Sequence, residues 1–498
     1  MRSLLTVLAA AILVVPQAAL SQTVLETKIE ASDGQLEDWF GTSIAIEESI
    51  AVIGARMDDD NGLASGSVYI FVKNDTGWTE QQKLHASDGA EDDMFGRSVS
   101  ISGDYIFVGA HKDDFNTGAA YIFMRNGSTW TEQAKLISSD PDTGDFFGVS
   151  IGQSGDYTII GAAIDDSAGS AYVYMRTDSG WVEQVRLTAS DGQADDRFGQ
   201  SVAISGNYAI IGAHADDDLG NGAGSAYVFE RFDSVWVEVA KLTASDGTGG
   251  DAFGFSLSIS GDYIIVGAYG EGGSGRGAAY IFKREGTVWV EQTKLIPSDR
   301  EPGDEFGVSV EIVPGFAIVG AWLSGSDSTG AAYFFRESGS AWIEAYKLVP
   351  SDGATNDEFG IDVALSTTDA IVGATFADGM GSETGAAYCY FDITSDVRET
   401  QPFEVARSFA LTQNYPNPFN PSTIIRYALE GSTTVELSVH NLLGQKVRSL
   451  VNEFQPAGEH QISWDGRDDR GEHVAGGVYL YQLKTGEKIQ TKKMMLLK

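Results

Sequence analysis

Cysteine is almost absent. Cys389 stands alone, which excludes a disulfide framework and any cysteine-based zinc site. Proline is scarce, 11 residues against 59 glycines, and the six histidines are scattered without a His-x-x-x-His pair. Positive charge is short as well: 33 Lys and Arg face 71 Asp and Glu, a formal net charge of −38. Each phosphate contact needs a cation, so nucleic acid and anionic membrane surfaces are excluded as partners. Beyond the N-terminal leader no run approaches 18 consecutive apolar residues, so no membrane span is expected. What is present is a chain with 42% hydrophobic and 11% aromatic residues, too apolar to be disordered and, at 498 residues, long enough for two or more domains.

The two ends read as addresses. Arg2 precedes an apolar run from Leu4 to Val15, Pro16 breaks it, and Ala19-Leu20-Ser21 supplies small residues for cleavage before Gln22. Residues 1–21 are thus a secretory signal peptide, and with no Cys after the cleavage site a lipoprotein anchor is not expected. Near residue 400 the composition shifts: five of the eleven prolines fall between Pro402 and Pro456. From Phe409 to the end there are 10 basic and 9 acidic residues, against 23 basic and 62 acidic before it. Alternating runs at Ile424–Leu429, Thr434–Val439, Gln445–Leu450, His460–Trp464 and Val478–Leu483 predict a small antiparallel sandwich over 409–498, behind a linker at 392–408. Asn414–Pro421, Leu442–Val447, Gly477-Val478-Tyr479 and the Lys-rich end Lys492–Lys498 resemble the type A C-terminal sorting domain of the type IX secretion system. That resemblance implies the type IX machinery as partner of 409–498 and export across the outer membrane, often with attachment to the cell surface; an ordinary immunoglobulin-like accessory domain is the alternative.

Between the ends one unit occurs seven times. Phe-Gly recurs at Phe40, Phe95, Phe147, Phe198, Phe253, Phe306 and Phe359, in steps of 55, 52, 51, 55, 53 and 53 residues. Fourteen residues after each Phe comes the Gly of a Gly-Ala pair, from Gly54 to Gly373. A Gly-x-x-Tyr follows, ending at Tyr69, Tyr121, Tyr172, Tyr227, Tyr280, Tyr333 and Tyr388, and nine residues later six repeats carry Trp. Only the interval from Gly-Ala to Gly-x-x-Tyr varies, from 8 to 12 residues, so one loop per repeat is free to differ. The fixed intervals hold four short strands, in the fourth repeat Gln200–Ile204, Tyr208–Ala213, Ser225–Glu230 and Trp236–Leu242. Four antiparallel strands per repeat with almost no helical period describe a β-propeller blade.

The seventh repeat lacks its Trp strand, and Val24–Glu30 supplies it, because Lys28-Ile29 precedes Asp33 as Lys241-Leu242 precedes Asp246. Thr23 then falls at the Trp position. The expected architecture is all-β: a seven-bladed propeller over 22–391 closed by the N-terminal strand, then a small immunoglobulin-like β-sandwich. The repeats resemble FG-GAP repeats, the units of the integrin α-subunit propeller, across residues 24–391. Pro never follows Gly-Ala here; the next residue is Arg56, His111, Ala163, His214, Tyr269, Trp322 or Thr375. The family's calcium loop, Asp-x-Asp-x-Asp-Gly between the first two strands, is replaced by tight turns such as Ser102-Gly103-Asp104, so calcium binding does not carry over to that position.

Acidic residues gather in two loops that an up-and-down blade places on one face. The loop entering each blade reads Ser-Asp-x4-Asp-x-Phe-Gly, from Asp33/Asp38 to Asp352/Asp357. The variable loop adds Asp58, Asp59, Asp60, Asp113, Asp114, Asp165, Asp166, Asp216, Asp217 and Asp218. Three readings compete. The repeated pairs cap turns by accepting backbone N–H bonds, the favoured one; the variable-loop clusters bind a divalent cation such as calcium; or the whole surface is charged for solvation. Catalysis finds little support, since no pair is marked out from the others. Thr177-Asp178-Ser179-Gly180-Trp181 reads as a hairpin turn, His111 and His214 as partners for nearby Asp, and Cys389 as core packing. The expectation is a monomeric, non-catalytic adhesion protein, secreted or on the cell surface, whose acidic loop face engages an extracellular glycan or protein. The alternatives are an extracellular enzyme acting on polysaccharide at the ring centre and a surface-layer component.

Overall fold

The computed structural model describes residues 26–391 apart from 75, 76, 380 and 382, together with 393 and, with gaps, 410–496. The signal peptide, Thr23 and nearly all of the linker at 392–408 lie outside the described residues. The chain divides into two compact units, Met1–Val397 and Arg398–Lys498.

In the first unit each repeat forms one four-stranded antiparallel sheet with its strands in sequence order. In the fourth these are Phe198–Ser205, Tyr208–Ala213, Ser225–Phe232 and Val235–Leu242, a few residues longer at most ends than sequence alternation gives. Gly206-Asn207 closes the first hairpin as a two-residue turn, with Ser205 opposite Tyr208 and Gly206 at φ +60°, the geometry that matches strand twist. The seventh sheet is completed by Glu26–Ile29, paired with Ala386–Tyr390. The other six outer strands carry a β-bulge, as between Val228 and Phe229, and the seam strand has none. Lys28 stands opposite Tyr388 as Lys83 stands opposite Tyr69, so without the bulge Glu26 takes the place of Glu80.

The first strand of every repeat lines a central channel of about 610 Å³. The repeat's signature residues join one blade to the next. Phe95 N–H donates to Ser65 O at 3.0 Å, and the same bond recurs six times, closing with Phe40 N–H to Thr384 O at 3.2 Å. The Gly of Gly-Ala is required by close approach: a Cβ on Gly161 would lie 1.9 Å from Gly199 O of the next blade. Ser43, Ser98, Ser150, Ser201 and Ser256 each donate Oγ–H to such a glycine carbonyl at 2.8–2.9 Å. Each Phe of Phe-Gly is buried and meets the Tyr of its own repeat edge-on, as Phe253 meets Tyr280 at 5.5 Å, a pairing worth about 1 kcal/mol beyond burial. The core is therefore a set of layers between blades, such as Ile210, Val228, Phe253, Val266, Tyr280 and Trp289.

The second unit is a sandwich. One sheet joins Ala410–Leu411, Thr423–Leu429 and Gly458–Trp464; the other runs in the order Lys446–Gln455, Thr433–His440, Gly477–Thr485, Lys488–Leu496. Phe419, Trp464, Tyr481 and Met494 sit in its core. The Lys-rich end is a strand that the run-by-run reading did not include. No helix among the described residues is long and apolar enough to cross a membrane.

Candidate functional site

The entering and variable loops of each blade do share a face: Met57 N–H donates to Asp38 O and Lys112 N–H to Asp93 O, with equivalents in other blades. Two populations of side chain meet there, one repeated and one not.

The repeated population is a Tyr–Asp–Lys knot. In blade 4, Tyr227 Oη lies 2.8 Å from both Asp191 and Asp216, which share its one O–H, and Lys241 Nζ reaches Asp191 at 2.8 Å, Asp216 at 2.9 Å and Asp218 at 2.6 Å. Tyr69, Asp33, Asp58, Asp60 and Lys83 repeat it in blade 1; Tyr121, Asp88, Asp113 and Lys135 in blade 2; Tyr172, Asp140, Asp165, Asp166 and Arg186 in blade 3. Burial opposes ionisation of Asp33, Asp88 and Asp191, but the Lys and Tyr bonds outweigh it and hold these carboxyls below the usual range. The second aspartate of every entering pair is buried and caps its own turn. Asp38 accepts from Gln35 N–H at 2.6 Å, and the bond recurs at Asp93, Asp145, Asp196, Asp251, Asp304 and Asp357. Burial, with the charge of Asp58 adding to it, pushes Asp38 up to about 6.

The sequence-derived cation candidates are thus placed individually. Asp58, Asp113, Asp165 and Asp216 are buried inside knots; Asp60, Asp166 and Asp218 complete them. Asp59 and Asp217 accept N–H bonds from Ala64 and Gly222 of their own loops, and Asp114 is exposed. Among the described residues no group of three or more His, Cys, Asp or Glu side chains is disposed to hold a metal ion.

The second population does not repeat, and it surrounds the channel mouth. The residue before each Phe-Gly is Trp39, Met94, Phe146, Arg197, Ala252, Glu305 or Glu358, and all seven have φ between +53° and +63°. Left-handed backbone in non-glycine residues costs of order 1 kcal/mol each, and since it recurs in all seven blades the conformation belongs to the frame while the side chains it carries differ. Beside them stand the residues after Gly-Ala and after Phe-Gly, including Arg56, Arg97, His111, Gln200, His214, Phe255, Tyr269 and Trp322. Arg56 stacks over the Trp39 ring at 4.9 Å, and Trp322 Nε1–H donates to Glu305 at 2.7 Å. A second hollow, about 470 Å³, opens beside Arg197, Gln200, His214 and Phe255. His111 and His214 have no aspartate partner among the described residues, contrary to the sequence reading. Burial drives His111 down to about 2, reinforced by Arg97 and Arg56, and His214 down to about 4, reinforced by Arg197. The signal for this site was in the sequence: these are the positions at which the repeats disagree.

Within the channel two carboxylates face the lumen, enclosed by the ring yet only half-buried because the lumen is open. Glu311 accepts from Ser258 Oγ–H at 2.8 Å; Asp362 accepts from Ser309 Oγ–H and Ile44 N–H, both at 2.7 Å. Burial raises Glu311 to about 7 and Asp362 to about 6, and the charge of Asp362 adds to the first shift. Elsewhere, Thr177 lies opposite Gly180 across a hairpin turn, and Cys389 is buried in the seventh blade.

Comparison with known proteins gives one match in each unit. The FG-GAP repeat family matches seven times, at 23–71, 78–123, 130–174, 181–229, 236–282, 289–335 and 342–390. The FlgD Ig-like domain matches 420–488. No curated protein matches the chain. The seven matches cover most of the molecule and coincide with the joints that hold one blade to the next: the chain belongs to the FG-GAP repeat family, with an immunoglobulin-like domain at its C-terminal end.

Proposed function

We propose that this is a secreted or surface-displayed adhesion protein, non-catalytic, that meets an extracellular glycan or protein at the mouth of its propeller channel. One observation carries the reading. The frame is the same in seven blades, whereas the mouth gathers the side chains that differ between blades, beside open volume. The acidic loops surround that mouth as a rigid rim, since the knots bind their carboxylates to lysine, arginine and tyrosine. Binding of the full chain to panels of extracellular glycans and proteins tests this. Trp322→Ala and Tyr269→Ala should abolish capture without loss of folding; capture that survives both would sink the assignment to the mouth.

The C-terminal domain is, in this proposal, the type IX sorting signal. Removing 409–498 in a producing cell should strand the propeller in the periplasm, and undiminished release would overturn the assignment. A polysaccharide-cleaving enzyme is the second reading, favoured by the raised Glu311 and Asp362 inside the channel. Turnover by the full chain that Glu311→Gln abolishes would promote it.

A further inference from the structure

On this face carboxylates outnumber cations, and seven lysines or arginines, from Lys28 to Lys347, are each bound to one or more of them. Arg197, beside the second hollow, has no such bond among the described residues either, and Arg56 and Arg97 stand apart as a pair. Both reach the channel mouth, and among the described residues neither has an ion pair or a hydrogen bond through its guanidinium to protein. Asp362, the carboxylate whose field reaches Arg97, has both oxygens occupied by Ser309 and Ile44. Glu358, the carboxylate that acts on Arg56, accepts from Thr375 Oγ1–H at 3.2 Å and is raised by burial to about 7.

The other neighbours of the two arginines add buried nitrogens that lack partners. Arg56 Nε and Trp39 Nε1 are buried N–H groups with no acceptor in reach, and His111 Nδ1 is buried with no partner. Partnerless indole nitrogens also occur at Trp78, Trp130, Trp236, Trp289 and Trp342, but that set follows the repeat and belongs to the frame. A lesser set, Arg197 with the partnerless His214 Nδ1, stands at the second hollow, but only the mouth set brings two arginines together. Two like charges are held together there, and their repulsion is felt: burial first, then Arg97, lowers Arg56 to about 10.

We propose that Arg56 and Arg97, with Trp39 and His111, bind the carboxylate of a uronic acid that ends an otherwise neutral saccharide chain. This rests on the mouth being the binding site. A planar guanidinium fork matches a carboxylate through two parallel N–H bonds. The half-buried rings of Trp39 and Phe146 beside the cluster offer flat apolar surface to the C–H face of a sugar. The acidic rim and the net charge of −38 repel a long polyanion, so one terminal carboxylate, inserted along the axis, is the form that the field admits.

Titration calorimetry on the full chain tests it with four probes: acetate, free glucuronate, a neutral xylo-oligosaccharide, and the same oligosaccharide ended by glucuronate. The uronate-ended chain should bind at least tenfold tighter than the neutral one, with free glucuronate between them and acetate weakest. Arg97→Gln and Arg56→Gln should each lose tenfold or more, Arg97→Lys should recover part of the loss, and Arg284→Gln, on the third strand of blade 5 beside Asp262, should change nothing. Arg97→Lys keeps the charge and carries the test if Arg97→Gln fails to fold. Equal binding of the neutral chain, unchanged uronate binding by the arginine variants, or acetate binding as tightly as glucuronate would each overturn the proposal. If a neutral glycan or a protein binds through Trp322 while uronates do not, the mouth stands as the site and the carboxylate assignment falls. If nothing binds at the mouth, both fall.

Discussion

At the scale of single residues, the fourth position after the Gly of Gly-Ala shows a graded substitution. It is Asp58, Asp113, Asp165 and Asp216 in the first four blades, then Glu271, Ser324 and Ala377. The first four accept from Tyr and pair with Lys or Arg, and Glu271 keeps the cation contacts through Lys294 and Arg300. Ser324 only approaches Tyr333, at 3.5 Å, and leaves Lys347 with Asp299 alone in its knot. Asp216→Ala removes a buried acceptor shared by Tyr227 and Lys241; with Asp191 and Asp218 still in place the loss should be about 2 kcal/mol, read as a lower unfolding midpoint. Ser324→Asp should rebuild a complete knot in blade 6 and add about 1 kcal/mol, raising Tm by about 1–2 °C in a chain of this length. A fall in Tm would show that the loop of blade 6 has diverged too far to accept the acid.

At the scale of strands, the seam is the one sheet completed by strands from the two ends of the propeller chain. Glu26 accepts from Ser351 N–H and Oγ–H, at 3.2 and 2.6 Å, as Glu80 accepts from Ser32, so the seam repeats the contacts that tie every outer strand to its entering loop. Thr27 lies directly opposite Cys389 across the antiparallel pair. Facing residues on such strands have Cα atoms about 4.5–5.5 Å apart, within the range that a disulfide spans. Thr27→Cys should therefore oxidise with Cys389 into a staple worth up to about 4 kcal/mol, seen as a mobility shift without reductant and a higher Tm. Failure to cross-link would show the paired side chains to diverge.

The seam was legible in the sequence because Lys28 and Asp33 keep the spacing of the other repeats; its missing bulge was not, since a bulge is one extra residue whose position only pairing reveals. The seven sheets and their order were legible for the same reason, repetition. The knots were legible as acidic loops but not as ion pairs. Lys241 lies 25 residues from Asp216 in the chain, and only the return of the outer strand brings them together. The mouth was overlooked for the opposite reason: Trp39, Arg97 and Arg56 hold fixed offsets from Phe-Gly and Gly-Ala, but residue type at those offsets changes from repeat to repeat, so recurrence did not mark them.

At the scale of the whole molecule, two sets of carboxyls set the response to pH with opposite signs. Asp33, Asp88, Asp191, Asp246, Asp299 and Asp352 lie below their ordinary value in the folded chain. Their contribution is complete above the unfolded value near 3.9 and is lost as pH falls through the depressed one. Asp38 and Asp362, at about 6, and Glu311 and Glu358, at about 7, are raised. Each holds a proton in the folded chain that the unfolded chain has released, so stability declines as pH rises from about 4 to about 7. Repulsion within the net charge of −38 works in the same direction. His111 and His214, kept neutral in the folded chain, oppose this decline below about pH 6.5 but are outnumbered by the raised carboxyls. The unfolding midpoint should peak near pH 4–5, and a maximum at or above pH 7 would contradict this balance.

The pairing of residues 26–29 with 387–390 also fixes an order of events in time. Six blades can form from local hairpins as they emerge, but the seventh needs a strand made at the very start of the propeller, and its partner arrives some 360 residues later. Until that encounter the array is an open arc, and its terminal edges, Glu26–Ile29 at one end and Ala386–Tyr390 at the other, remain unpaired. Closure of the ring should thus come late, after a search over nearly the full repeat array, and a chain lacking either end strand should expose an unpaired strand edge.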